Sequence, residues 1–227
     1  MTSSSPLPKA RPVPAPVREH IVNSLRDAIV TGGLSPGQRL VEADLCTELG
    51  VSRPSLREAL RQLEAEKLVV ITPYKGPAVA RITWAEAEEI YEVRELLEGH
   101  AALLFAQRAT AEEMSKLRQA LEMFERAVAE HGQRTALLDT TKEFYDIILT
   151  GCANRVIADV LLGLFARINL LRSHSMSLPG RAPHSAHELR QIYLAIDARE
   201  PLAARSAAAR HVRNARKAAG RALKLRE

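Results

Sequence analysis

The sequence predicts a mainly α fold in two parts: three helices with a two-stranded β hairpin, then an all-α antiparallel bundle of about six helices. Three observations carry this. Leu and Ala dominate an apolar content of 46% in 227 residues, while aromatic residues make up only 4%, a composition that favours helix over sheet. From Val17 onward, apolar residues recur at three- and four-residue spacing, the period of a helix with one buried face. The β-prone runs gather in residues 68–82, around Pro73 and Gly76, and read as a single hairpin.

Residues 1–16 hold five prolines and three consecutive serines. So little apolar surface cannot offset the entropy of ordering, and a disordered arm is expected. Ile21, Leu25, Ala28 and Ile29 then form the inner face of a first helix, which Gly32-Gly33 ends before the turn at Leu34-Ser35-Pro36-Gly37. Two further helices, 42–49 and 53–67, are separated only by Gly50-Val51-Ser52. A short Gly-containing turn between short helices is the signature of a helix-turn-helix. Ser52 suits the N-cap, where its hydroxyl accepts from a free N–H of the first turn, and Pro54 sits where a missing N–H costs nothing. Runs 68–72 and 78–82, joined by residues 73–77, complete a wing. Residues 17–82 thus form one expected domain.

Beyond Thr83, turn signals divide the chain into helices at 84–108, 110–131, 134–150, 153–175, 184–199 and 201–225. Long helices with short connections make antiparallel neighbours, so residues 83–227 are expected to form one bundle.

Several function classes are disfavoured at once. Cys46 and Cys152 are far apart, no signal-peptide core is present, and no apolar run approaches the roughly 20 residues that span a bilayer. A cytoplasmic protein with no membrane partner is expected. No Ser/His/Asp order, phosphate-cradling Gly-rich loop or close carboxylate pair suggests an enzyme. The net charge is +5, but its excess lies at the far C-terminus, where residues 200–227 carry eight basic and two acidic side chains. Arg210, Arg213, Arg216, Lys217, Arg221 and Lys224 form either a solvated helix face or a surface that steers the protein onto DNA.

In the helix from Arg53, Leu56, Ala59, Leu60 and Leu63 share a core-facing stripe, and Arg53, Arg57 and Arg61 line an adjacent one. Such a helix fits the major groove, where arginine bonds phosphate or takes both acceptors of guanine. The residues Gly37-Gln-Arg-Leu40, Leu45, Gly50-Val-Ser-Arg-Pro-Ser-Leu-Arg-Glu-Ala-Leu60, Leu63-Glu64, Leu68-Val69 and Gly76 closely resemble the winged helix-turn-helix of the GntR family of regulators. The resemblance implies Ser52, Arg53, Ser55 and Arg57 as DNA contacts of the recognition helix, with Lys75 and Gly76 at the wing tip. Lys67 departs from it, standing where the family usually turns with glycine.

The stretch Tyr91-Glu-Val-Arg-Glu-Leu-Leu-Glu98, Asn154 after Gly151-Cys-Ala, and the last helices with Ala195, Ala204 and His211 resemble the FCD-type effector domain of the fatty-acid-regulator subfamily. That implies a homodimer whose helical bundle encloses a cavity for a small carboxylate or related metabolite. Arg94 shares a helix face with Ile90, Leu97, Ala101 and Leu104, so its guanidinium points into the core and needs a partner: Glu98, another acidic residue, or a ligand carboxylate. Arg167, Asn154, Tyr145 and His211 are the other effector candidates. The metal ligands of the subfamily fall here on Thr141, Tyr145, Leu189 and His211. One imidazole does not hold an ion that needs three or four protein ligands, so no metal cofactor is expected; His184 and His187 lie nearby, with His187 out of register.

These readings converge on a regulator that binds a pseudo-palindromic operator in double-stranded DNA and answers to a small-molecule effector. The alternative is an architectural DNA-binding protein whose bundle only dimerises, against which a core-facing Arg94 argues.

Overall fold

The computed structural model describes residues 15–224. Local chemistry sets the start of each element of the helix-turn-helix half, the reading head of the sequence expectation. α1 (Ala15–Thr31) is followed by α2 (Glu42–Leu49), which ends on Gly50 at φ 65°. That left-handed conformation suits glycine, and it turns the chain within three residues into α3 (Arg53–Ala65). Ser52 caps α3 as expected, its hydroxyl accepting from the Ser55 N–H, and Pro54 sits in the first turn.

α3 stops two residues earlier than the sequence suggests, because Lys67 leaves the helical region at φ 60°. Its N–H bonds the Glu64 carbonyl at 2.9 Å, and the Leu68 N–H bonds Leu63 at 2.9 Å. The two bonds form a Schellman motif. Lys67 therefore keeps the turn that glycine makes more readily, at a backbone cost of about 1 kcal/mol. The wing pairs β1 (Val69–Thr72) with β2 (Gly76–Val79) in antiparallel register, Thr72 opposite Gly76. β2 begins two residues before the expected run because Gly76 and Pro77 join the ladder. Pro77 lacks a donor but accepts from the Leu40 N–H, so the missing N–H goes unneeded.

Six helices follow: α4 (Trp84–Arg108), α5 (Ala111–Ala129), α6 (Arg134–Gly151), α7 (Arg155–Met176), α8 (Arg181–Asp197) and α9 (Pro201–Lys224). Thr83 caps α4, and Thr110 with Glu113 forms a reciprocal capping box on α5. α8 begins three residues before the expected start. Gly180 (φ 77°) makes the turn, and Pro183 falls in the first turn of the helix, where it breaks no hydrogen bond. α4 packs chiefly on α9, α9 on α8 and α7, and α5 on α6 and α8.

Two apolar clusters result. The larger lies inside the bundle around Tyr91, Phe105, Phe124, Phe144, Ile148 and Leu189. The smaller joins Ile21, Leu25, Leu56, Leu60 and Leu63 of the reading head, and it also takes in Ala166 and Leu170 of α7. One helix thus belongs to both halves of the molecule. None of the described helices is long and apolar enough to cross a membrane.

Candidate functional site

Arg53, Arg57 and Arg61 are exposed along one side of α3, while Leu56, Ala59, Leu60 and Leu63 are buried on the other. The Arg57 Nε donates to both carboxylate oxygens of Glu42, at 3.1 and 3.0 Å. Ser52 is exposed; Ser55 is buried, its hydroxyl 2.8 Å from that of Ser52. Lys75 is exposed at the wing tip and Gly76 turns there at φ 81°. Beside them Tyr74, absent from the sequence candidates, holds φ 64° and is fully exposed at 106%. Its signal was available: an aromatic between Pro73 and Lys75 in a turn has no core to enter.

The bundle candidates divide into two groups. Arg94, Tyr145 and His211 are buried in one polar cluster. Asn154 instead caps α7, its side-chain oxygen accepting from the Ile157 N–H at 3.2 Å. Arg167 pairs with Glu86 at 3.0 Å near the start of α4. Neither lines the cavity beside this cluster, of whose wall Tyr145 and Glu98 are part. The residue on α7 that does is Arg172. Leu161, Phe165, Ile168 and Arg172 follow one helix face at four-, three- and four-residue steps, while Arg167 lies roughly 140° round from Arg172. A helical wheel extended past Leu171 shows this.

Arg94 is 0% exposed and Glu98 3%. The Arg94 Nε donates to Glu98 at 2.7 Å. Burial alone pushes the guanidinium pKa down, and the Glu98 charge more than reverses this. Both terminal nitrogens of Arg94, and Nε of Arg172, lack a hydrogen-bond partner among the described residues. The Arg172 guanidinium lies over the Tyr145 ring, 5.3 Å from its centroid, and donates to Asn169 at 3.1 Å. Its pKa is lowered by burial and then by the like charge of Arg94. Burial and the Glu98 charge hold the Tyr145 hydroxyl firmly protonated.

Glu188 anchors the other side of the cluster. It accepts from His211 Nδ1 at 2.7 Å, Arg181 at 2.8 Å and Asn214 at 2.8 Å. Burial pushes its carboxyl up, but the His211 and Arg181 hydrogen bonds hold it at about 2. Burial lowers the His211 pKa despite Glu188, so the ring is neutral at pH 7. Arg94, Arg172 and Arg181 against Glu98 and Glu188 then leave one excess positive charge inside the protein.

These shifts set an acid limit on stability. Unfolded His211 takes up its proton more readily than folded, so its contribution is complete above pH 6.5 and falls as pH drops below that. The Glu188 contribution is complete above pH 4.5 and is lost as pH falls towards about 2. The thermal midpoint is expected to decline in two stages on acidification, and Glu188→Gln to flatten the lower one. An unaltered lower stage in that variant would remove Glu188 from the account.

The positions where the resemblance places metal ligands carry other contacts here. The Thr141 hydroxyl donates to the Leu137 carbonyl at 2.6 Å, and Leu189 is fully buried in the apolar core. Among the described residues no three His, Cys, Asp or Glu side chains converge to hold an ion. The basic residues of α9 are partly neutralised by α4: Arg213 pairs with Glu95 and Arg216 with Glu88.

Comparison with known proteins agrees with this architecture. Residues 17–79 match the profile of the bacterial regulatory proteins of the gntR family, and residues 89–214 match the FCD domain. The chain is similar to the uncharacterized HTH-type transcriptional regulator YdhC of Bacillus subtilis, 29% identical over 180 residues covering 79% of this chain and 80% of that protein. It is 27% identical over 229 residues to the Glc operon transcriptional activator of Escherichia coli, covering 89% and 88%. The solved structure of E. coli McbR/YncC superimposes with a TM-score of 0.78 at 20% identity, covering 93% of this chain and 99% of that one, a likeness of fold. With a GntR reading head and an FCD domain spanning more than half its length, the chain belongs to the GntR family of transcriptional regulators and not to an enzyme family.

Proposed function

We propose that the protein binds operator DNA through α3 and the wing, and that a small anion in the Arg94–Arg172 cluster controls that binding without a metal. On this reading Arg53, Arg57 and Ser52 face the major groove, with Ser55 fixing the helix start beneath them. Tyr74, Lys75 and Gly76 meet the backbone or minor groove, and a homodimer places two heads on a pseudo-palindromic site. The observation that carries the effector reading is the buried positive charge. Arginine nitrogens without protein partners in a core are costly, and a bound carboxylate would satisfy them bidentately.

α7 supplies the route from cavity to DNA. It presents Ile168 and Arg172 to the cavity and Ala166 and Leu170 to the reading-head core. A ligand that moves α7 therefore shifts the head it packs against, and it controls DNA binding to the extent that it prefers one of the two arrangements.

The test uses purified full-length protein and operator DNA selected from a random pool. Simple monocarboxylates are expected to raise the thermal midpoint and to alter operator affinity. Arg172→Met, which replaces a costly buried charge with an apolar side chain of similar reach, is expected to fold at least as stably, bind operator and ignore the acids. Full response in Arg172→Met would defeat the reading.

A further inference from the structure

We infer that the effector is an amphipathic monoanion, with one carboxylate head and an unbranched or aromatic apolar tail, rather than a hydroxylated or multiply charged acid. This rests on the anion-site reading above and specifies its ligand. The cavity is polarised along its length. Glu98, Tyr145 and Arg172 form its inner end, and Leu149, Leu161, Leu162, Phe165 and Ile168 form the rest of its wall between α6 and α7. At the rim, Lys142 and Asp146 satisfy each other. Beyond the inner end no hydroxyl or amide side chain among the described residues faces the space, so a polyhydroxylated tail would bury oxygens without partners.

Charge and length narrow the class further. One excess positive charge balances a monoanion; a second carboxylate would sit against the apolar wall. From Arg172 to Phe165 is seven residues of helix, about 10 Å, the reach of a medium-chain acid whose head meets Arg172. The space open within it is only about 20 Å³, the size of one water. Such a tail enters only as α6 and α7 part, and the shared helix moves with it.

The experiment measures affinity of the full-length protein, by calorimetry and thermal midpoint, for acetate, butyrate, hexanoate and octanoate. Glycolate, malonate and 1-octanol serve as controls. Affinity is expected to rise about fourfold per methylene, with glycolate and malonate no better than acetate and the alcohol inert. Phe165→Ala should flatten the series while leaving acetate unchanged, and Arg172→Met should abolish it. A flat series, or malonate binding more tightly than butyrate, with Arg172→Met still abolishing the response, would overturn the apolar tail and leave the anion site standing. No acid binding at all, or a series untouched by Arg172→Met, would overturn both.

Discussion

Arg94→Ala is expected to destabilise the protein by about 3–5 kcal/mol, a large fraction of the about 5–15 kcal/mol that holds a domain folded. The reason is the partner left behind. Glu98 is 3% exposed and holds Arg94 at 2.7 Å, so truncating the arginine strands a carboxylate in the core. Arg172 softens this only at longer range, since it contributes charge to Glu98 and no hydrogen bond. Removing both charges together tells a different story. Arg94→Met with Glu98→Gln discards the ion pair and its desolvation cost at once, and is expected to recover most of the loss. Denaturant unfolding of the two variants checks this; a single Arg94→Ala costing under about 1 kcal/mol would show that the pair is not the buried unit described. The result bears on the proposed anion site as well. A regulator that fails in a cell carrying Arg94→Ala fails first by unfolding, which makes Arg172→Met the cleaner probe of that proposal.

The contrast between those two arginines shows what a sequence displays. Arg94 was legible because helix offsets alone place it with Ile90, Leu97 and Ala101. Arg172 is equally periodic, but it stands at the end of its helix, beyond the apolar stretch in whose middle Arg167 is the conspicuous charge. Local chemistry read well: the Gly50 turn, the Ser52 cap and the Thr83 boundary depend on neighbours within four residues. Asn154 stands at a position the family resemblance marks, yet its spacing from Ile157 already describes an N-cap. Glu188 was out of reach. Its partners Arg181, His211 and Asn214 lie seven to 26 residues away, and only the packing of α8 on α9 brings most of them together. The reading-head contribution of Ala166 and Leu170 was hidden for the same reason, since nothing in α7 distinguishes a residue buried in one cluster from a residue buried in the other.

Arg57→Ala is expected to weaken specific operator binding by about 1–3 kcal/mol, roughly five- to 150-fold, and to relax base preference at one position of each half-site. Arg57 is exposed, but in the free protein its Nε is held by Glu42. An exposed pair of this kind is worth about 0.2–1 kcal/mol, so it orients the guanidinium without preventing its transfer to a base edge. The two nitrogens that Glu42 leaves free are the ones a guanine needs. Glu42→Gln should then leave operator sequence preference intact, because it removes the guide and not the reader. Salt titration separates this role from a contact to phosphate. A lost phosphate contact weakens all sequences alike and lowers the slope of log affinity against log salt by about one; a lost base contact keeps the slope and narrows the gap between operator and random DNA. For Arg57 the second pattern is expected, and for Lys75 at the wing tip the first. If Arg57→Ala reproduced the Lys75 pattern, α3 would be lying across the backbone, and base reading would pass to Arg53 and the first turn of the helix.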